Sequence, residues 1–207
     1  MGAGGMMGSG GMMGQGGMMG SGGMMGGWGG YNPAATSMSL DQAAEAAGRY
    51  LKTYGPNLAL EEVMEFARNF YAEAVEEDTG LHAMELLVNK NTGQVYPEVG
   101  PNMMWNTKYG MMGQMMGGGY GPWGVTASMP ITPKRAQVLA QQFLNTFSPD
   151  LNVAEADTLY GYYTLHTLRG DQVEGMLSVN GYTGQVWYHS WHGSFIGMKE
   201  FHHGDAD

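Results

Sequence analysis

The spacing of apolar residues predicts one amphipathic helix in each half of the chain. In the first half, apolar residues recur every three or four positions after Ser39, which forms a capping-box pattern with Gln42, and Gly55-Pro56 ends the segment. In the second half, Thr132 is the predicted cap and Pro133 occupies the first helical position. We therefore expect two helices of about four turns, each with one apolar face.

Each predicted helix is followed by short runs in which apolar and polar residues alternate. Alternation with a period of two predicts β-strands, and the polar turns between the runs predict antiparallel pairing. The predicted strands are residues 70–75, 81–88 and 94–96 in the first half, and residues 158–168, 173–179 and 185–191 in the second. The order of a helix and then a meander therefore occurs twice.

An internal repeat supports this division. Val88-Asn89 and Thr92-Gly93-Gln94-Val95 reappear 91 residues later as Val179-Asn180 and Thr183-Gly184-Gln185-Val186. Two copies of one structural unit are the simplest origin of such a match. The sequence thus predicts an α+β fold of two tandem small modules, each an N-terminal helix packed on an antiparallel β-meander.

The helix, the strand that ends in Val-Asn and the turn that closes on Thr-Gly-Gln-Val resemble PepSY and PepSY-like modules. The resemblance covers residues 37–101 and residues 129 to about 195. It implies small α+β domains of extracytoplasmic proteins, known from protease propeptides and from membrane-associated or secreted accessory proteins. It also implies binding or inhibition rather than catalysis, and it carries over no active-site residue.

Methionine pairs set in glycine distinguish two further segments. In the first, the pairs recur every six residues and no residue is charged. The second adds aromatic residues and joins the two predicted modules. The expected organisation is a Met/Gly-rich tail at 1–36, a first module at 37–101, a linker at 102–128, and a second module with a histidine-containing C-terminal tail at 129–207.

The methionine pairs predict a site for a soft metal ion. A thioether is a poor ligand for hard ions but a good one for Cu(I), and flexible glycine lets several sulfur atoms converge on one ion. The alternative is that the tail docks on an apolar partner, while the linker packs against the modules. The candidate copper ligands are Met6, Met7, Met12, Met13, Met18, Met19, Met24, Met25, Met103, Met104, Met111, Met112, Met115 and Met116.

Histidines near the C-terminus suggest a second metal site. His189 and His192 lie three positions apart, and His202 and His203 add further donors. Imidazole groups of this kind suit Cu(II), Ni(II) or Zn(II). The alternative interpretation is a solvated tail after the last strand.

Other polar residues receive simpler interpretations. His82 follows the alternation of a predicted strand, which indicates a partly buried structural histidine. His166 lies on a polar, aromatic face that either binds a ligand or pairs with the neighbouring module. The seven acidic residues between Glu61 and Asp78 alternate along strands and turns, which indicates a solvated acidic face.

Composition excludes several classes of function. The net charge of −10 over 207 residues argues against nucleic acid as a partner. Because cysteine is absent, a thiolate zinc site and an attachment motif for haem c are excluded. The glycine stretches lack the ending of a phosphate-binding loop, so no nucleotide cofactor is expected. No nucleophile motif is present, and no apolar run reaches the roughly 20 residues of a transmembrane segment.

These observations predict a non-enzymatic, exported protein that binds or buffers Cu(I). Its expected location is the periplasm, the cell surface or the extracellular medium. Met1 falls in register with the methionine repeat, so we expect that a leader has been removed; an initiator methionine in phase is the alternative. The rival function is a structural or accessory subunit of a filament or membrane-associated complex. In that case the Met/Gly tail would thread along neighbouring subunits, and other protein chains would be its partners.

Overall fold

The structure, a computed structural model, describes residues 37–111 and 128–201. The described residues are mostly β, with 40% in strands and 20% in helices. The predicted Met/Gly tail and most of the linker lie outside them. Within these ranges no helix has the length and apolar character needed to cross a membrane.

Three helices are present in the described ranges: α1 (Leu40–Leu51), α2 (Pro101–Trp105) and α3 (Pro133–Leu144). Both predicted N-terminal caps are confirmed. Ser39 accepts a hydrogen bond from the Gln42 backbone, and the Gln42 side chain accepts one from the Ser39 backbone. Thr132 likewise accepts the backbone N–H of Arg135. These bonds satisfy donors that have no partner within a helix.

In the described part of the chain, nine strands form two antiparallel sheets. The first sheet has the order β4-β3-β2-β1-β9, and the second has the order β5-β6-β7-β8. The strands are β1 (Leu58–Phe66), β2 (Phe70–Glu76), β3 (His82–Val88), β4 (Val95–Pro97), β5 (Asn152–Thr158), β6 (Tyr162–Arg169), β7 (Gln172–Asn180), β8 (Val186–Tyr188) and β9 (Phe195–Glu200).

The predicted α+β class, with two tandem helix-on-meander modules, is wrong. Helix is the minor component, and β9, which follows the second sheet in sequence, pairs with β1 in the first sheet, where Met198 lies opposite Met64. The sequence pattern missed β1, β5 and β9, and β1 and β5 each contain a β-bulge, between Leu60 and Glu62 and between Val153 and Ala156. A bulge adds a residue to one strand and breaks the period-two alternation.

The core lies in layers. Helix α1 covers one face of the first sheet, where it packs on Val63, Phe70 and Leu86. Helix α3 covers one face of the second sheet, over Leu165 and Leu177. The other faces of the two sheets contact each other, so all seven residues of β2 are buried. The face that the first sheet turns toward the second carries the polar residues described next.

Candidate functional site

Five glutamates, one from each strand position of the first sheet, form a single row across it. Glu200 on β9 lies opposite Glu62 on β1, Glu62 opposite Glu73 on β2, and Glu73 opposite Glu85 on β3. Glu98 directly follows β4, and its N–H donates to the Glu85 carbonyl at 2.8 Å. Residues that are directly opposite in antiparallel strands share one face of the sheet. We call these five residues the glutamate row.

Most of the glutamate row is buried. Glu62, Glu73, Glu85 and Glu98 are 6%, 1%, 0% and 0% exposed, whereas Glu200 is exposed. The interpretation of a solvated acidic face is therefore wrong for Glu62 and Glu73. Like charges directly opposite each other destabilise a sheet, and burial strengthens that effect. The row therefore requires protons, cations or hydrogen-bond donors to compensate its charge.

At one end of the row, Glu98 meets two buried histidines. Glu98 Oε1 lies 3.0 Å from His192 Nε2 and 3.7 Å from His189 Nδ1. One ligand atom from each of the three residues lies within 4.8 Å of the others. Zinc–nitrogen bonds of 2.0–2.1 Å in a tetrahedron place ligand atoms about 3.3 Å apart. The two measured separations fall on either side of that value, so the three residues fit a small divalent ion.

Neighbours hold the second nitrogen of each histidine and the oxygen of Glu98 that faces the histidines. His189 Nε2 lies 2.9 Å from Ser178 Oγ, and His192 Nδ1 lies 2.9 Å from Asn69 Oδ1. Trp191 Nε1 donates to Glu98 Oε1 at 3.0 Å. Histidines that bind metals use this arrangement, because a hydrogen bond to one ring nitrogen fixes the orientation of the ring and leaves the other nitrogen for the ion.

Two ring nitrogens that face Glu98 Oε1, His189 Nδ1 and His192 Nε2, form no hydrogen bond within the described part of the chain. His192 Nε2 is only 3.0 Å from Glu98 Oε1, yet the two atoms do not have the alignment of a hydrogen bond. Buried polar atoms without a partner are costly and uncommon in native structures. A cation placed between Glu98 Oε1 and these two nitrogens would satisfy both of them.

Burial also sets the charges of the centre. It lowers the pKa of His192 to about 3, and burial together with His192 lowers the pKa of His189 well below its usual range. Both imidazoles are therefore neutral at physiological pH, which is the form that binds a metal ion. Burial raises the pKa of Glu98 to about 8, so metal binding near neutral pH would displace a proton from this carboxyl group.

The fold brings Glu98 and His189 together because they occupy equivalent positions of the internal repeat. Glu98 directly follows β4 and His189 directly follows β8, and 189 − 98 gives the repeat spacing of 91. His192 comes from the loop between β8 and β9, and it stacks on Phe66 with 4.5 Å between the ring centroids. The crossing of the chain from one sheet to the other thus supplies the second histidine.

A surface cavity of about 380 Å³ lies beside this centre. Its lining includes His189, Gly175 and Phe195, but neither Glu98 nor His192. The side chain of His189 is itself buried, so the cavity borders the centre without exposing its ligand atoms.

The structure brings together only part of the predicted ligand sets. His189 and His192 are adjacent, while His202 and His203 lie outside the described residues. Of the predicted copper ligands, Met103 is half-buried on α2, and Met104 and Met111 are exposed. The remaining predicted ligands, namely Met6, Met7, Met12, Met13, Met18, Met19, Met24, Met25, Met112, Met115 and Met116, lie outside the described residues.

The sequence analysis missed Glu98, Asn69 and Ser178. One signal was available for Glu98: the repeat spacing that relates the two Thr-Gly-Gln-Val turns also relates Glu98 to His189. No comparable pattern marks Asn69, which lies in the short connection between β1 and β2. Only the folded chain places it beside His192.

The centre of the glutamate row is neutralised by hydroxyl groups. Glu85 accepts hydrogen bonds from Tyr71 at 3.1 Å, from Tyr162 at 2.7 Å and from Thr164 at 2.7 Å. Tyr71 and Tyr162 are themselves equivalent positions of the repeat. Burial, followed by the charge of Glu98, raises the pKa of Glu85 well above its usual range. Glu85 therefore adds little negative charge and separates the two ends of the row.

At the other end of the row, carboxylates meet His82 and His166. His82 Nδ1 lies 3.0 Å from Glu73 Oε1, and His82 Nε2 lies 3.8 Å from Asp157 Oδ1. His166 Nε2 forms a hydrogen bond of 3.1 Å with Glu62 Oε1. Burial alone would lower the pKa of His82, but Glu73 and Asp157 outweigh it and raise the pKa to about 9. His82 is therefore more than a buried structural histidine.

Comparison with known proteins assigns no family, since no family model, curated protein or solved structure matches the chain. The resemblance to PepSY modules thus stays a prediction from sequence motifs. Function must be argued from the geometry of the sites.

Proposed function

We propose that this chain is a non-enzymatic metal-binding protein, exported from the cytoplasm, that holds one divalent ion at Glu98, His189 and His192. Two imidazoles and one carboxylate form a ligand set of intermediate softness, which suits Zn²⁺ or Cu²⁺ better than Ca²⁺ or Mg²⁺. The observation that carries the proposal is that two buried imidazole nitrogens converge on a buried carboxylate oxygen without hydrogen bonds of their own, while the opposite nitrogen of each ring is held by a neighbour.

The paired methionines extend this proposal to copper in its reduced state. Thioether sulfur does not titrate, so Cu(I) bound by the pairs would show little dependence on pH. Competition against a Cu(I) chelator at two pH values, in the full chain and in a variant with leucine at every paired methionine, tests this part. A steep pH dependence, or unchanged affinity in the leucine variant, would contradict it.

The divalent centre is tested by titrating metal-free full-length protein with Zn²⁺. We expect H189Q/H192Q to lose one equivalent of tight binding, and the matched control H202Q/H203Q to retain it. Thermal unfolding in the absence of metal shows whether each variant folds. Retention of that equivalent in a folded H189Q/H192Q protein would rule out the Glu98 centre.

A structural subunit is the second candidate, and one observation favours it. Several large apolar side chains are exposed: Met104 at 59%, Met111 at 51%, Phe147 at 49% and Ile196 at 57%. Surfaces of this kind contact other chains when they are contiguous. Light scattering of metal-free protein tests this second candidate. Assembly that occurs without metal and is lost when Met104 and Met111 are replaced by serine would support it. A protein that stays monomeric at all concentrations would contradict it.

A further inference from the structure

The end of the glutamate row opposite Glu98 borders a second cavity. This cavity has a volume of about 240 Å³, and it lies where β1, β2 and β3 of the first sheet face β5 and β6 of the second. Its lining includes Glu62, Glu73, His82, Asp157 and His166, with further carboxyl groups around them. The sequence analysis treated His82, His166 and the glutamates separately and did not consider Asp157, and the Glu98 centre uses none of these residues.

The charges around the second cavity are not balanced by protein groups. The lining holds six carboxyl groups and only two imidazoles. Glu62 and Glu73 are also directly opposite each other on adjacent strands. Burial raises the pKa of Asp157 to about 7, but even with Asp157 and both histidines protonated, carboxylates remain in excess around the cavity. The cavity therefore favours a cationic ligand.

A buried ion pair without a hydrogen bond shows where that ligand would bind. Glu73 is 1% exposed, and its Oε1 accepts no hydrogen bond within the described part of the chain. His82 Nδ1 lies 3.0 Å away in an ion pair that lacks the alignment of a hydrogen bond, and because the pKa of His82 is raised to about 9, a metal ion bound here near neutral pH would displace the proton of this imidazole. The pair His192 Nε2 and Glu98 Oε1 has the same relation at the other end of the row.

We infer that the second cavity is a separate site for a divalent transition-metal ion, bound by Glu73 and His82 with Asp157, Glu62 and His166 around it. Mixed imidazole and carboxylate donors favour Zn²⁺, Ni²⁺ or Cu²⁺, whereas Ca²⁺ and Mg²⁺ prefer oxygen alone. Unlike the Glu98 centre, this site has more carboxylates than imidazoles, and it opens directly into its cavity. The two sites share no residue, so either one can exist without the other.

Isothermal titration of the metal-free full chain with Zn²⁺ tests the inference. Every protein in the test carries H202Q and H203Q, so that the C-terminal histidines bind no ion, and thioethers bind Zn²⁺ poorly. We expect two equivalents of Zn²⁺. H82Q/H166Q should lose one and keep the other, and H189Q/H192Q should show the reverse.

A single substitution that changes the site less provides the test if H82Q/H166Q fails to fold. Glu73→Gln preserves the shape of the side chain and removes its charge, and it should weaken one equivalent at least tenfold while leaving the other unchanged. Glu45→Gln, on the exposed face of α1, is the matched control and should change neither.

Each result has one meaning. Two equivalents retained in folded H82Q/H166Q, or unchanged affinities in Glu73→Gln, would overturn the second site. A single equivalent that disappears in H189Q/H192Q would also overturn it and would leave the proposed function intact. A single equivalent that disappears in H82Q/H166Q would instead remove the Glu98 centre and retain the second site.

Discussion

Replacing Glu98 by glutamine should make the metal-free protein more stable at alkaline pH. Glu98 is fully buried, and burial raises its pKa from the ordinary value of 4.5 to about 8. The folded state therefore holds this proton more tightly than the unfolded state. The resulting stabilisation is complete below pH 4.5 and is lost as the pH rises toward 8. Glutamine has the same shape but does not ionise.

The size of the effect follows from the difference in pKa. One pKa unit corresponds to about 1.4 kcal/mol, so between roughly pH 5 and pH 9 the wild-type protein should lose about 4 kcal/mol relative to Glu98→Gln. Divalent metal should reduce this difference in stability. A ligand at 100 times its Kd stabilises a protein by about 2.7 kcal/mol, and a tenfold weaker site loses about 1.4 kcal/mol of that gain.

Denaturant unfolding of metal-free full-length protein across this pH range, with and without Zn²⁺, measures both effects. Glu200→Gln is the matched control, because Glu200 belongs to the same row but is exposed, and its unfolding curves should follow those of the wild type. The reasoning would be refuted if Glu98→Gln changed stability equally at both pH values, or if Zn²⁺ stabilised it as much as the wild type.

Three further predictions concern the interface between the sheets. The pKa of His82 is raised to about 9, so its contribution to stability is complete below pH 6.5 and is lost as the pH rises through 9. In H82Q, the stability of the metal-free protein, measured by thermal unfolding, should therefore change less between pH 6.5 and pH 9. Tyr162→Phe removes the 2.7 Å hydrogen bond to buried Glu85 and should cost about 1.5–3 kcal/mol in urea unfolding; a loss below about 0.5 kcal/mol would contradict the account. Gly161→Ala should cost at least about 1 kcal/mol in the same assay, because φ of Gly161 is +98° and the new Cβ would lie 2.3 Å from the Trp105 carbonyl oxygen. An unchanged free energy of unfolding would contradict this packing.

The helices could be predicted because their signals are local. Ser39 with Gln42, and Thr132 with Pro133, lie within four residues of one another, and each cap forms as its sequence indicates. The architecture could not be predicted in the same way. The pairing of β9 with β1 joins residues 129 to 138 positions apart, and nothing in the local sequence of Phe195–Glu200 specifies which edge it joins.

The candidate sites, like the architecture, depend on contacts between residues that are distant in sequence. The spacing of His189 and His192 drew attention to them, and the repeat spacing of 91 relates Glu98 to His189, but nothing in the local sequence places Glu98 beside His192. The glutamate row depends on strand register, and register depends on bulges that the alternation of residues does not reveal. A carboxylate that looks solvated in sequence can therefore be buried in a sheet that is covered on both faces.

Anomalous X-ray diffraction at the zinc edge, from crystals of the full chain grown with Zn²⁺, tests the central claim most directly. The account predicts an anomalous peak about 2.0–2.2 Å from Glu98, from His189 Nδ1 and from His192 Nε2. If these three side chains are ordered at full zinc saturation and no anomalous peak lies between them, the proposed metal centre is wrong.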